Sequence, residues 1–294
     1  MANGSIITNN GKKVLLNRAY KSSPDYNPIN QFKVGVGNGT PAVSSTDLDT
    51  PIPINGFEVT DDCEAADWVD SAEITTALNA TYFKEGTYGL DLTKDAGAAI
   101  DATTDKTTTS VDFTSKDLWV WLYIKDATMY AKLNATDCVT IRFGSDNANY
   151  YQYTRDAADL AVGWNYITFN TGTADSTVGA PAIAACDYSY IGIKADAAGT
   201  VWAVDDLVMD HWRVASADDY FENIDSGYPV FDESNNEVEI QATLATTDAN
   251  GFNIDGFALW NDDGTELMMS EDTITDESKS STDEFVWVIT DRVE

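Results

Sequence analysis

The stretch DLWVWLYIKD sets Trp119, Trp121 and Tyr123 two residues apart, interleaved with Leu118, Val120, Leu122 and Ile124. Successive side chains of a β-strand point to opposite faces, so this run places aliphatic residues on one side and three flat rings on the other. Flat rings cover the C–H face of a pyranose, and polar groups beside them fix its hydroxyls, so the chemistry on offer is sugar recognition. Tyr151 and Tyr153 share a face of YYQYT, and Arg142 has the parity opposite to Val139, Ile141 and Phe143 in CVTIRFG. These six residues, Trp119, Trp121, Tyr123, Arg142, Tyr151 and Tyr153, are the candidate glycan contacts. A second reading of the aromatic face stays open: a surface covered by another subunit.

Other chemistries find less to work with. His211 is the single histidine, and no Ser or Cys nucleophile motif frames it. Paired carboxylates could hydrolyse a glycosidic bond, but acids occur everywhere in this chain and single out no pair. No catalytic residue is assigned. Gly35, Gly37 and Gly39 read G-x-G-x-G, not the dinucleotide fingerprint, and Pro41 follows where a phosphate loop needs a helix, so a tight turn is expected. Cys63, Cys138 and Cys186 are odd in number and lack metal spacing. They are expected as buried thiols, with one disulfide left open.

Composition narrows the classes further. The 294 residues carry 49 acidic and 17 basic side chains, a formal net charge of -32. Phosphate binding runs on Lys and Arg clusters, and none is visible, so nucleic acid is excluded as a partner. Acid excess with few aromatics signals disorder, but aromatics are 11% of this chain and apolar residues fall in strand-like runs, so it is expected to fold. Self-repulsion of this size is tolerable where salt screens it, which points to a marine or halophilic setting. A spanning helix needs about 20 apolar residues; DLWVWLYIKD closes at Asp117 and Lys125, and no membrane insertion is expected. The opening MANGSIITNNGKK lacks an apolar core, so no signal peptide is expected either.

The elements that must position these residues divide into three textures. NNGKKVLLNRAYK spaces Val14, Leu15, Arg18 and Ala19 as a short helix, with Asn9 or Asn10 as N-cap, and QFKVGVG alternates Phe32, Val34 and Val36. From about 56 to 215 short strands follow one another with Gly, Asn, Asp and Thr turns, the pattern of an antiparallel sandwich or jelly roll. From about 216, NEVEIQATL alternates, FALWNDDGTELMM reads as a hairpin around Asp263-Gly264, and FVWVITDRV closes the chain. Neither flank alone makes a comfortable core, whereas together they make a domain of common size. The expected fold class is mainly β: a split β-sandwich-like domain (1–55 and 216–294) with one short N-terminal helix, interrupted by an inserted antiparallel jelly-roll β-sandwich (56–215).

Two resemblances bear on this plan. TNNGKKVLLNRAYK, FKVGVGNGTPAVSSTDLDTPI and EVEIQATLATTDANGFNIDGFALWNDDGTELM resemble, in order and texture, collar-like domains of tail-fibre and related virion proteins of tailed viruses. That resemblance implies a mounting module associating with copies of itself and with other virion proteins, located on the particle. The insert resembles jelly-roll carbohydrate-binding modules: Phe57-Glu58 at its start, Trp68, Glu85-Gly86 in KEGTYGLDL, and Asp205-Asp206 in VWAVDDLVM. This second resemblance implies host-surface glycan as a ligand. It also implies a structural calcium near the two ends of the insert, with Glu58, Asp61, Asp62 and Asp206 as candidate ligands. The combined expectation is a non-enzymatic virion protein touching host glycan through its insert. The alternatives are a capsid decoration, head-fibre or vertex-turret protein in which the insert is only a spike, and a secreted carbohydrate-binding protein outside any virus.

Overall fold

The computed structural model describes residues 6–37, 40–262 and 267–292. Gly39 and the turn at Asp263-Gly264 lie outside the described residues. The chain divides into two compact units, Met1–Gly56 with Ala217–Glu294, and Phe57–Ser216. The fold class is mainly β with antiparallel sheets, as expected.

The first unit opens with β1 (Ile6–Ile7), α1 (Asn9–Tyr20) and β2 (Ile29–Gly35). The second contains β3 (Glu58–Asp61), β4 (Val69–Asp70), β5 (Ile74–Asn79), β6 (Gly89–Lys94), β7 (Asp101–Val111), β8 (Lys116–Ile124) and the single-turn α2 (Ala127–Tyr130). It continues through β9 (Val139–Asp146), β10 (Asn149–Arg155), β11 (Gly163–Asn170), β12 (Ser176–Val178), β13 (Cys186–Lys194) and β14 (Leu207–Ser216). The chain then returns to the first unit with β15 (Glu222–Asn223), β16 (Val230–Asp232), β17 (Glu237–Leu244), β18 (Asn253–Asn261), β19 (Leu267–Ser278) and β20 (Phe285–Arg292).

In the first unit a sheet ordered β1-β19-β18-β2-β15 combines strands from both ends of the chain, and a second is ordered β16-β17-β20. Their inner faces meet through aromatic rings: Phe32 stacks on Phe257 with centroids 5.6 Å apart, and Trp287 lies 5.2 Å from Phe257. Helix α1 is capped by Thr8 and not by Asn9 or Asn10; the Thr8 hydroxyl accepts from the Gly11 N–H at 3.0 Å and donates to the Met268 carbonyl. Gly11 lets the helix lie directly on β19, since a Cβ there would stand 2.1 Å from the Met269 carbonyl oxygen. No helix among the described residues is long and apolar enough to cross a membrane.

The second unit is a two-layer sandwich. One sheet runs β12-β10-β9-β13-β7-β4 and the other β11-β8-β14-β6-β5, with β3 on β14. Alternation supplies the shared core: Leu118, Val120, Leu122 and Ile124 from β8 meet Val139, Ile141 and Phe143 from β9 and Ile191 and Ile193 from β13, all fully buried. The cysteines are free and buried. Burial pushes the Cys138 thiol up to about 11 and the Cys186 thiol to about 12, so neither forms a thiolate at neutral pH.

One interruption of the alternation matters for the polar residues of the second unit. In β14 the ladder to β8 slips between Asp210 and Trp212, and His211 occupies the extra position with φ of 43°. A bulge re-aims the side chains on either side of it. Trp212 is thereby returned to the core, while Arg213 comes to stand opposite Trp119.

Candidate functional site

The polar side of the β12-β10-β9-β13-β7-β4 sheet is built by register. On β9, Arg142 faces away from the core; Gln152 of β10 and Tyr190 of β13 are its cross-strand partners. One step on, Gly144 lies between Tyr150 of β10 and Tyr188 of β13. On β7, Asp105 is opposite Tyr190 and Thr107 opposite Tyr188. Cross-strand partners share a face, with Cβ atoms about 4.5–5.5 Å apart. The result is one patch of three tyrosines, an arginine, an amide and a carboxylate.

The patch is ordered by its own contacts. The Arg142 guanidinium carbon lies 4.2 Å from the centre of the Tyr190 ring and 4.8 Å from that of Tyr150. Its Nε donates to the Gln152 side-chain oxygen at 2.9 Å. The rings and the amide therefore hold the guanidinium in one place, each ring contributing about 0.5–2 kcal/mol of cation–π attraction. Tyr190 lies back over Gly192, where an added Cβ would stand 3.0 Å from its hydroxyl and 3.2 Å from its Cε1. A side chain at 192 would lift the ring. Tyr150 and Tyr188 are 6.4 Å apart with planes inclined at 39°, and both are buried, at 9% and 7% exposed, so they support the half-buried Arg142, Gln152 and Tyr190 from beneath. Burial raises the Tyr188 phenol to about 12 and raises Tyr190 as well, so both are neutral hydroxyls that donate and accept. Flat rings, a fixed guanidinium, an amide and an acceptor carboxylate suit a hydroxylated ligand.

The residues expected from the sequence are distributed differently. Trp119, Trp121 and Tyr123 lie on the face of β8 opposite the core, but Trp119 is 0% and Trp121 4% exposed. Phe57 meets Trp119 edge-on at 5.9 Å, and Tyr166 of β11 packs on both indoles at 5.1 and 5.4 Å. Lys84 lies over Trp121, and Tyr123 stacks on Tyr82 at 4.2 Å. These rings are packing partners of one another, which corrects the expectation of an open platform at Trp119 and Trp121. Tyr151 and Tyr153 are corrected too, because both point into the sandwich. Tyr153 stacks on Phe169 at 4.6 Å and Tyr151 meets Phe113 at 6.3 Å. The β9–β10 register, irregular at Asn149/Tyr150, puts Tyr151 opposite Phe143 and leaves Tyr150 facing outward. Of the six expected contacts, Arg142 alone stands in the patch.

The expected calcium ligands do not come together. Glu58 pairs with Lys116. Asp61 is buried, pairs with Lys106 at 2.5 Å and accepts the Cys63 N–H at 2.8 Å. Asp62 accepts the Glu64 N–H at 3.1 Å. Asp206 pairs with Lys125 at 3.1 Å and accepts the Ala203 N–H at 2.9 Å. Among the described residues no three His, Cys, Asp or Glu side chains form a group that could hold a metal ion. Calcium takes 6–8 oxygens at about 2.3–2.6 Å, and this set does not fit it.

A buried polar cluster, not foreseen from the sequence, occupies the other sheet. Arg213 is fully buried, pairs with Glu85, and has the Phe57 ring 4.3 Å and the Trp119 ring 5.0 Å from its guanidinium carbon. Its Nη2 lies 3.0 Å from His211 Nδ1. Burial, and then the Arg213 charge, press the His211 imidazole down to about 3, so it is neutral. Asp210 accepts backbone N–H groups of Lys84 at 2.6 Å and Glu85 at 3.2 Å, and burial still raises its carboxyl to about 7.

No known protein-family model matches the chain, and no curated protein sequence matches it. Solved structures do. A family 11 carbohydrate-binding module from Clostridium thermocellum, in complex with a β-1,3-1,4-mixed-linked tetrasaccharide, is similar with a TM-score of 0.39 and 12% identity, covering 55% of this chain and 96% of that one. A xylan-binding domain of carbohydrate-binding module family 22 gives a TM-score of 0.31 at 12% identity, over 55% and 96% of the two chains. The xylan-binding family 22 domain of Paenibacillus barcinonensis Xyn10C gives 0.30 at 11% identity, over 59% and 96%.

Proposed function

We propose that the Phe57–Ser216 unit binds a glycan chain across the outer face of its β12-β10-β9-β13-β7-β4 sheet. The observation that carries this reading is the Arg142 guanidinium held between Tyr150 and Tyr190 and tied to Gln152, with Asp105 across the strand. Of this patch the half-buried Tyr190 offers its ring to sugar C–H groups, and Arg142, Gln152 and Asp105 offer fixed donors and acceptors for hydroxyls, backed by the buried Tyr150 and Tyr188. The test is titration of the full chain with glycans selected on a neutral-glycan array. Arg142→Ala and Tyr190→Ala should each weaken binding about tenfold or more, about 1.4 kcal/mol; unchanged affinity in both variants would overturn the reading. It is a reading of binding without covalent chemistry, and release of reducing ends from a bound glycan would contradict that part.

The finer reading assigns the split unit to the surface of a tailed-virus particle, where it mounts the chain beside its copies and the insert meets host-surface glycan. Its support is the sequence resemblance of the two flanks to collar-like tail-fibre modules. Repetition of weak sites on an assembly raises effective concentration without any new contact. Light scattering of the full chain tests it: a closed oligomer is expected, and a monomer at all concentrations would contradict it.

A further inference from the structure

Strand β4 covers only a short length of the β7 edge, pairing Val69 with Asp105 and Asp70 with Thr104. Beyond that point the edge of β7 faces β3 across a pocket of about 540 Å3, lined by residues of β3 and by Lys106 to Thr109. The volume lies inside the range of roughly 300–1,000 Å3 usual for small-molecule sites. Its lining is mainly polar: Thr60, Thr107, Thr108 and Thr109, Asp61 and Asp62, and Lys106, with Val59 beside them, and the Thr60 hydroxyl is already given to the Trp212 carbonyl at 3.1 Å. Among the described residues the lining contains no aromatic side chain. Such a wall suits a ligand studded with hydroxyls and offers little to an apolar one.

The charges narrow the ligand further. Lys106 is held between Asp61 at 2.5 Å and Asp67 at 2.6 Å, so its charge is already met by two carboxylates. With Asp62 beside them, an anionic group entering the pocket would face net repulsion. The place of the pocket matters as much as its lining. Thr107, on its wall, is the cross-strand partner of Tyr188, and two residues back Asp105 partners Tyr190. The pocket therefore adjoins the end of the tyrosine patch, off the line of a chain lying over it.

We propose that this pocket receives an uncharged sugar branch carried by the glycan on the patch, so that the ligand is a branched neutral polysaccharide. The inference rests on the glycan reading above and adds the branch. The experiment titrates the full chain with matched probes, a xyloglucan heptasaccharide against cellotetraose and a galactosylated mannopentaose against plain mannopentaose. In at least one pair the branched probe should bind about tenfold tighter or more. Filling the pocket from its exposed rim, by Thr109→Trp and separately by Asp62→Trp, should bring the branched probe down to the level of the linear one and leave the linear affinity in place.

Equal binding of branched and linear probes by the unaltered chain would overturn the branch pocket, as would equal weakening of both by the rim variants. If linear probes bind, lose affinity in Tyr190→Ala and gain nothing from branching, the patch stands and the pocket falls. If no probe binds, both fall.

Discussion

Folding moves a proton from one side chain to its neighbour in the buried cluster on β14, and the consequence can be measured. In an unfolded chain an Asp titrates near 3.9 and a His near 6.5, so at about pH 5 to 6 the histidine carries the proton and the aspartate none. In the folded chain burial raises Asp210 to about 7 and, with Arg213, lowers His211 to about 3. The proton then sits on the carboxyl. Both states hold one proton across this window, so the pair adds almost nothing to the pH dependence of stability. His211→Gln removes the compensation: the folded state keeps the Asp210 proton, the unfolded state has lost it, and stability falls as pH rises. The slope for one proton is about 1.4 kcal/mol per pH unit. Asp210→Asn leaves a histidine protonated only when unfolded, and its stability rises with pH by a similar amount. Urea unfolding followed by tryptophan fluorescence, at about pH 5 and about pH 6, should show the two variants diverging in opposite directions from the parent. Parallel behaviour of all three would refute the proton relocation.

Other perturbations separate binding from packing. Gly192→Val should lift Tyr190 from the sheet and weaken glycan binding at least as much as Tyr190→Ala, with the far-ultraviolet spectrum unchanged; undiminished affinity would show that the ring need not lie flat. Trp119→Ala removes a fully buried indole and should cost about 3–5 kcal/mol of stability, measured by chemical unfolding, whereas a stable variant that has lost only glycan affinity would return Trp119 to a ligand role. Lowering salt from about 2 M to about 20 mM lengthens the screening distance from a few ångströms to tens of ångströms, and with a net charge of -32 the melting temperature should drop. A constant value would count against the saline setting.

How far the sequence reached depended on what alternation can know. In LWVWLYI it separated Leu118, Val120, Leu122 and Ile124 as core residues, and the structure buries all four. It could not say what stood over the opposite face, because Phe57, Tyr82 and Tyr166 come from other strands and loops. In NYYQYT tyrosines occupy both parities, so the choice between Tyr150 and Tyr151 rests on hairpin register, which hydrophobicity does not fix. Arg142 had the right face since Val139, Ile141 and Phe143 flank it without ambiguity. Tyr188 and Tyr190 alternate with the buried Ile191 and Ile193, a signal that pairing them with Arg142 would have made usable. The bulge at His211 left no hydrophobic trace, and abundant acids made any calcium set easy to draw and hard to place.

The central claim is that the outward patch on β9, β10, β13 and β7 holds sugar. Calorimetric titration of the full chain with the best array ligand, run beside Arg142→Ala, tests it most directly. A saturable isotherm that collapses in the variant, with the variant still folded at the titration temperature and melting only a few degrees lower for the loss of the Arg142 contacts, is the predicted result. An isotherm unaltered by Arg142→Ala, or no heat from any glycan, would contradict it.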